Sequence, residues 1–286
     1  MPMKRKVDVV RRLLLLALLA AGGVAAAPAP ASVFLEDLTW TELRDRIAAG
    51  ATTALVPLGG TEQNGPHMAL GKHNVRARWL AGRIAEGLGD AVVAPVMAYV
   101  PEGRISPPGG HMRWPGTLTV PAPAFEAMLD GAARSLRAHG LCHVFFLGDH
   151  GGYRTSIDRV VAALNREEPA ASPCRAHALA AYYRASQADF AAFLRARGHT
   201  ADEIGPHAGL ADTALMLAID PSLVRMDVAR ARPQAGVGRG GDGVAGDPRR
   251  ASAELGRLGV EHVIEVSVAA IREQRKGSAA RPAAPR

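Results

Sequence analysis

The chain reads as an α/β protein with a mainly parallel sheet and helices on both of its faces. Two observations predict this. From Val33 onward, short apolar runs alternate with longer segments of helical periodicity. Two of those runs also end in glycine-containing polar loops, Gly59-Gly60 after Leu58 and Gly148 to Gly152 after Leu147. In parallel sheets the ligand site lies beyond the carboxyl ends of the strands, so topology lets these two loops meet.

The elements follow in order. Residues 1–31 are set apart: Lys4, Arg5, Lys6, Arg11 and Arg12 precede an apolar run over 13–21 and a small-residue stretch ending near Ala31. That is the pattern of a signal peptide, and the run is too short for a comfortable membrane span. An uncleaved anchor is the competing reading. The expected protein is therefore periplasmic or secreted, with no membrane span after cleavage. Thr39 caps a helix over 40–48, and 54–58 is a buried strand. Residues 74–87 have helical spacing, with Val75, Leu80, Ile84 and Leu88 on one face. Residues 91–100 are strand-like, and Pro121 and Pro123 suit the first turn of a helix reaching about His139. A strand over 143–147, a helix to about Asn165 and a strand-like run over 175–182 follow. The glycine-rich stretch 232–249 reads as a long loop without a phosphate-cradling motif. A last helix over 251–273 precedes a tail, 276–286, whose Ala, Pro and Arg predict disorder. The organisation expected is a signal peptide over 1–31, one domain over 33–275, and the tail.

The net charge of +7 belongs to the ends, because residues 1–27 and 272–286 each carry +4 and leave a body of −1. A nearly neutral body excludes a nucleic-acid surface, which needs a basic face. Cys142 and Cys174 are the only cysteines. In an oxidising compartment they could pair, but their apolar, strand-like surroundings favour two buried free thiols, and two are too few for a zinc–thiolate site.

Three stretches carry chemistry: 62–73, Asp149-His150, and GPHAGLADTALML over 205–217. Together they offer the histidines and carboxylates that suit zinc, manganese or iron. No Ser, Cys or Lys sits in a recognisable nucleophile setting, which points to metal-activated water.

These stretches resemble the creatininase (creatinine amidohydrolase) family. Its E-Q-H-G-P-H-L-P-L-x-T-D motif is similar to Glu62-Gln63-Asn64-Gly65-Pro66-His67-Met68-Ala69-Leu70-Gly71-Lys72-His73, and its H-x-x-F-P-G-T to His111-Met112-Arg113-Trp114-Pro115-Gly116-Thr117. The family's N-G-H-G-G-N resembles Gly148-Asp149-His150-Gly151-Gly152-Tyr153, and its H-A-G-E-x-E-T-S resembles the run from His207 to Ala214. A late G-D-P matches Gly246-Asp247-Pro248. The resemblance implies a three-layer αβα sandwich with a mainly parallel central sheet. It also implies a homo-oligomer, and a divalent-metal site that hydrolyses a C–N bond of a small, often cyclic, amide.

The carry-over is imperfect. Glu62 and His150 fall on family metal ligands. Asn64 stands where the family has a ligand histidine, and His73 where it has an aspartate that bridges two metals. Leu210 replaces one glutamate, and Asp212 replaces another, shortened by a methylene. An aspartate bridges two cations, whereas a neutral imidazole offers one lone pair and Asn only a neutral amide oxygen. The expectation is therefore one metal per chain, zinc or manganese with iron possible, held by Glu62, His73, His150 and Asp212. The bland readings are that His73 caps a helix and that Asp212 favours a helix first turn. Asp212 alternatively serves as a base, His207 moves a proton, and Asp149 is a reserve carboxylate. His67 is expected to support the ligands from behind. His111, Trp114 and Tyr153 are expected at the substrate pocket, with the loop 102–114. Asn64 and Leu210 also support a competing reading, a non-catalytic metal- or ligand-binding protein on the same fold.

Overall fold

Four short strands make the sheet: β1 (Thr53–Leu58), β2 (Ala91–Val93), β3 (His143–Gly148) and β4 (Arg175–Ala178). They are all parallel, in the order β2-β1-β3-β4. The computed structural model describes residues 32–169, 171–232 and 241–279. The expected signal peptide lies outside the described residues, as do positions 280–286 of the expected tail.

Ten helices flank the sheet among the described residues: α1 (Trp40–Ala48), α2 (Lys72–Leu88), α3 (Ala122–Ala138), α4 (Arg154–Glu167), α5 (Ala180–Arg184), α6 (Phe190–Ala196), α7 (Ala201–Ile204), α8 (Leu210–Ile219), α9 (Met226–Ala231) and α10 (Ala253–Ala279). Thr39 caps α1 in a reciprocal box with Glu42. Alternation along the strands divides the core into two. Leu55, Phe145 and Leu147 face Leu80, Ile84, Tyr182, Phe190, Leu215 and Val263. Ala54, Val56, Val144 and Phe146 face Phe125, Leu129, Ile157 and Leu164 on the opposite side. The sheet is thus the middle layer of an αβα sandwich. On the first side α10 lies close against α8, because a Cβ at Gly256 would come within 1.8 Å of the Ala214 carbonyl oxygen.

Three expectations are corrected here. The run over 91–100 is a strand only to Val93, since Pro95 has no N–H for a ladder. The run over 175–182 is a strand only to Ala178, after which the alanine-rich segment turns helical. Lys276 does not begin a tail, because α10 continues to Ala279. Arg272 donates to the Gly87 carbonyl at 2.8 Å and Arg275 pairs with Asp90 at 2.8 and 2.5 Å, holding the helix end to the body.

Cys142 and Cys174 are not free thiols but a disulfide. Each cysteine immediately precedes a strand, and His143 pairs in register with Arg175. That pairing sets the two Cα atoms 4.5 Å apart, within bridging range.

The strand order positions the site. The chain leaves β1 for β2 on one side and returns to β3 on the other, so a crevice opens beyond the paired ends Leu58 and Gly148. No described helix is long and apolar enough to cross a membrane.

Candidate metal centre

Glu62 sits at the centre of that crevice, on the loop leaving β1, and is fully buried. Its two oxygens have different neighbours. Oε1 lies 2.8 Å from His73 Nε2, 3.7 Å from His207 Nδ1 and 4.0 Å from Lys72 Nζ. Oε2 lies 3.2 Å from His111 Nε2 and 3.5 Å from His150 Nε2, yet it makes no hydrogen bond. Ligand atoms of Glu62, His111 and His150 all fall within 4.8 Å of one another. Glu102 joins them from the loop after β2, with Oε2 3.6 Å from His150 Nε2.

A second, deeper layer carries the charges that hold these groups. The start of α2 delivers Lys72, His73 and Arg76, and Lys72 and Arg76 are wholly buried. Lys72 Nζ donates to Asp212 Oδ2 at 2.8 Å. Arg76 donates through Nη1 to Asp212 Oδ1 at 2.9 Å and through Nε to both oxygens of Asp149 at 3.1 and 2.9 Å. Tyr182 donates to Asp149 Oδ1 and His73 Nδ1 meets Oδ2, each at 2.6 Å. Burial works to raise the Asp149 carboxyl, but Arg76 and then His73 outweigh it and hold it below the usual range. Burial likewise opposes ionisation of Asp212, and Lys72 with Arg76 drive it well below normal. Glu62 is also held low against burial, chiefly by His73. Glu102 is the exception: burial first, then the charge of Glu62, push it up to about 9.

Of the expected ligands, Glu62 and His150 reach the cluster, and His111, expected for substrate, joins them. His73 is adjacent, but both ring nitrogens are taken by carboxylates. Asp212 has both oxygens on Lys72 and Arg76, and Oδ2 also accepts the Ala208 N–H at 3.0 Å. Its place is behind His207, fixing a backbone turn in which Ala208 has φ 52°. Asp149 is likewise consumed. Asn64 ties down the loop, its amide nitrogen donating to Glu62 O at 2.9 Å and Ala69 O at 3.1 Å. Leu210 is core, and His67 Nε2 meets Thr213 Oγ1 at 3.1 Å.

Tyr153 does not line the pocket. Its buried hydroxyl accepts the N–H groups of Asp149 and His150 and lies 2.7 and 2.9 Å from the carbonyl oxygens of Leu58 and Gly59, joining the two strand-end loops. Trp114 does line it, in a cavity of about 610 Å³ with Gln63, His111, Arg113, His207 and Val244. Gln63 donates to Gly243 O at 3.0 Å and its amide nitrogen is 3.1 Å from His111 Nδ1. His207 Nε2 donates to the Gln63 carbonyl at 2.9 Å.

The donor set fits a divalent cation. Burial lowers the His111 ring and holds His150 near 3 and His207 near 4, so the imidazoles are neutral at pH 7. Glu62 Oε2 and both Glu102 oxygens are buried without a hydrogen bond. Two contacts work against it: His150 Nδ1 accepts the Gly152 N–H and His111 Nδ1 accepts from the Gln63 amide nitrogen, each at 3.1 Å, whereas a metal-bound imidazole normally donates from its second nitrogen. Both contacts have to give for a cation to bind. Lys72 and Arg76 were not among the sequence-predicted residues, and Glu102 entered only as the start of the loop expected at the substrate pocket. The only signal for the first two was a Lys-His-x-x-Arg start to an apolar helix, next to motifs holding more acids than a buried loop tolerates.

The creatinine amidohydrolase (Creatininase) family profile matches residues 36–271. Over 198 residues the chain is 29% identical to creatinine amidohydrolase of Pseudomonas putida, covering 68% of this chain and 75% of that one. Over 118 residues it is 36% identical to the mycofactocin precursor peptide peptidase of Mycolicibacterium smegmatis, covering 40% of this chain and 45% of that protein. Among solved structures it is similar to a mutant creatininase of Zn-Zn type, with TM-score 0.68, 26% identity and coverage of 85% and 98%. It is also similar to a creatininase with Mn, with TM-score 0.67, 25% identity and coverage of 85% and 99%.

Proposed function

Because the chain belongs to the creatininase family, we propose that it is a metal-dependent amidohydrolase cleaving a C–N bond of a small amide, open-chain or cyclic. The observation that carries this reading is Glu62 Oε2 facing His111 and His150 Nε2 beside a cavity of about 610 Å³. Glu62, His111 and His150 would hold one divalent cation, zinc or manganese by analogy with the solved relatives, with iron also compatible with these donors. Such a cation polarises a carbonyl and lowers the pKa of a water it holds.

The remaining residues position and move protons. His73 engages Glu62 Oε1 and leaves Oε2 for the cation. In the tautomer in which His207 gives its Nε2–H to the Gln63 carbonyl, Nδ1 carries the lone pair that would take a proton from the attacking water and hand it to the leaving nitrogen. Asp212, through the Ala208 N–H, fixes the turn that carries His207. A single cation per chain is favoured, because Lys72 and Arg76 occupy the Asp212 carboxylate that a second one would need. Export to the periplasm or beyond fits the disulfide, since disulfides persist in oxidising compartments.

The test is elemental analysis of protein purified without chelator, then a broad amide screen with zinc and manganese. Bound metal with turnover, and loss of both in Glu62→Gln, is expected. Metal without turnover across the screen would favour the non-catalytic binding protein. Protein that takes up neither metal would end the enzyme reading.

A further inference from the structure

Glu102 has no place in any motif of the chain, yet its carboxylate is as deeply enclosed as that of Glu62, with no exposed side-chain surface. Among the described residues neither of its oxygens receives a hydrogen bond, and its ion-pair contact is with His150 rather than with a lysine or arginine. A buried carboxyl left without a partner is costly on ordinary desolvation grounds. The backbone nonetheless holds it there. Glu102 N–H donates to Thr119 Oγ1 at 3.0 Å, and Val120 N–H closes on the Val100 carbonyl at 3.2 Å beside it. Gly60 makes the room: a Cβ there would stand 2.4 Å from Glu102 Oε1, so any side chain at 60 would expel the carboxylate.

We infer that Glu102 is a fourth protein ligand of the cation, a second carboxylate standing beside Glu62. The inference rests on the metal reading above. Its geometric support is the spacing of donor atoms. Four ligands about 2.0–2.1 Å from a tetrahedral centre stand about 3.3–3.4 Å from each other. Glu62 Oε2 to His111 Nε2 is 3.2 Å, Glu62 Oε2 to His150 Nε2 is 3.5 Å, and Glu102 Oε2 to His150 Nε2 is 3.6 Å. These three edges are near the length that a shared centre demands, and none of them is a hydrogen bond. Glu102 stands outside the compact triad of Glu62, His111 and His150, so its carboxylate has to close on the other donors when the cation binds. Charge gives the second support. Two carboxylates and two neutral imidazoles around a divalent ion sum to zero, the balance a buried site needs. The third support is compensation. His73 and Asp212 are engaged elsewhere and Asn64 offers only a neutral oxygen, so the anionic donor missing from the motif positions arrives from a different loop.

The experiment uses the full chain, stripped of metal and titrated with Zn²⁺ against a competing chelator and with Co²⁺ by visible absorption. The unaltered protein should bind one equivalent. Glu102→Gln keeps the volume but loses the anionic donor, and should weaken Zn²⁺ by more than about 100-fold, beyond the 10–100-fold typical of residues that only support a ligand. Its Co²⁺ spectrum should change, and Glu102→Ala should behave alike. The metal-free Gln variant should melt no lower than the unaltered protein, because the amide replaces a carboxyl of the same size whose oxygens receive no hydrogen bond. Zn²⁺ affinity within tenfold and an unchanged Co²⁺ spectrum in Glu102→Gln would overturn the assignment and leave Glu102 as a base beside the cation. Failure of the unaltered protein to bind either ion would instead overturn the metal reading itself.

Discussion

Arg76→Met tests whether the deep ionic layer holds the fold as the geometry requires. The guanidinium is fully buried and spans two acids, giving Asp149 bonds at 3.1 and 2.9 Å and Asp212 one at 2.9 Å. Methionine fills much of the same space but leaves the acids to their other partners. Asp212 keeps Lys72 at 2.8 Å and the Ala208 N–H at 3.0 Å, so its charge stays paired. Asp149 keeps only Tyr182 and His73, each at 2.6 Å. The loss is thus one uncompensated buried charge rather than two. Removing one partner of a buried pair costs about 3–5 kcal/mol, and the surviving bonds to Asp149 place this case nearer 3. Urea unfolding at pH 7.5, followed by circular dichroism and extrapolated to water, reads the difference. Arg76→Met with Asp149→Asn should recover most of it, because the stranded charge is then gone. A single variant within 1 kcal/mol of the parent, or a double variant no more stable than the single, would refute the reasoning.

Four other outcomes follow from particular contacts. Burial holds His67 near 4 in the folded chain against an ordinary 6.5, so the unfolded state takes up the proton first. Stability should be unaffected above pH 6.5 and fall as pH drops from 6.5 towards 4, and His67→Gln should flatten that part of a melting-temperature profile. The disulfide closes a separation of 32 residues; Cys142→Ala with Cys174→Ala should cost about 3–4 kcal/mol in urea. Turnover at low temperature should persist, because both cysteines lie at the opposite end of the strands from Glu62. Gly243 has φ +82°, and a Cβ there would meet Gln63 Oε1 at 2.0 Å; Gly243→Ala should displace Gln63 and cut turnover about 10–100-fold with the melting temperature little changed. Mass spectrometry of the exported protein should give a mature start between Ala27 and Ser32, and intact Met1 would refute the signal-peptide reading.

The layers and the active edge were legible because they rest on periodicity and punctuation. The apolar runs ending at Leu58 and Leu147 are the two central strands, and the loops after them carry Glu62 and His150. What stayed hidden depends on which strands neighbour each other and on where side chains turn. Cys142 and Cys174 look like isolated apolar thiols until β3 and β4 are known to pair. His73 and Asp212 have the right chemistry for ligands, but Glu62 and Asp149 take both ring nitrogens of His73, and Lys72 and Arg76, one residue before and three after it, claim the Asp212 carboxylate. Nothing in the spacing of Glu102 connects it to His150, since the loop between β2 and α3 has no periodicity to read. Tyr153 sits in a family motif, yet its role is to join backbones from two loops, a contact visible only in three dimensions.

The cations that α2 inserts beneath the site also set the order of events in the life of the protein. A zinc finger has only its ion to hold its ligands together, so it unfolds when the ion is removed. Here Glu62, Asp149 and Asp212 are each held by groups the chain itself supplies, Lys72, His73 and Arg76 among them. If the site takes a cation as proposed, maturation should therefore be sequential, with the polypeptide acquiring its shape alone and recruiting the ion afterwards. A chelator should silence it without melting it. The ion it carries would then be chosen by supply in the compartment where folding ends, as much as by the donors that receive it.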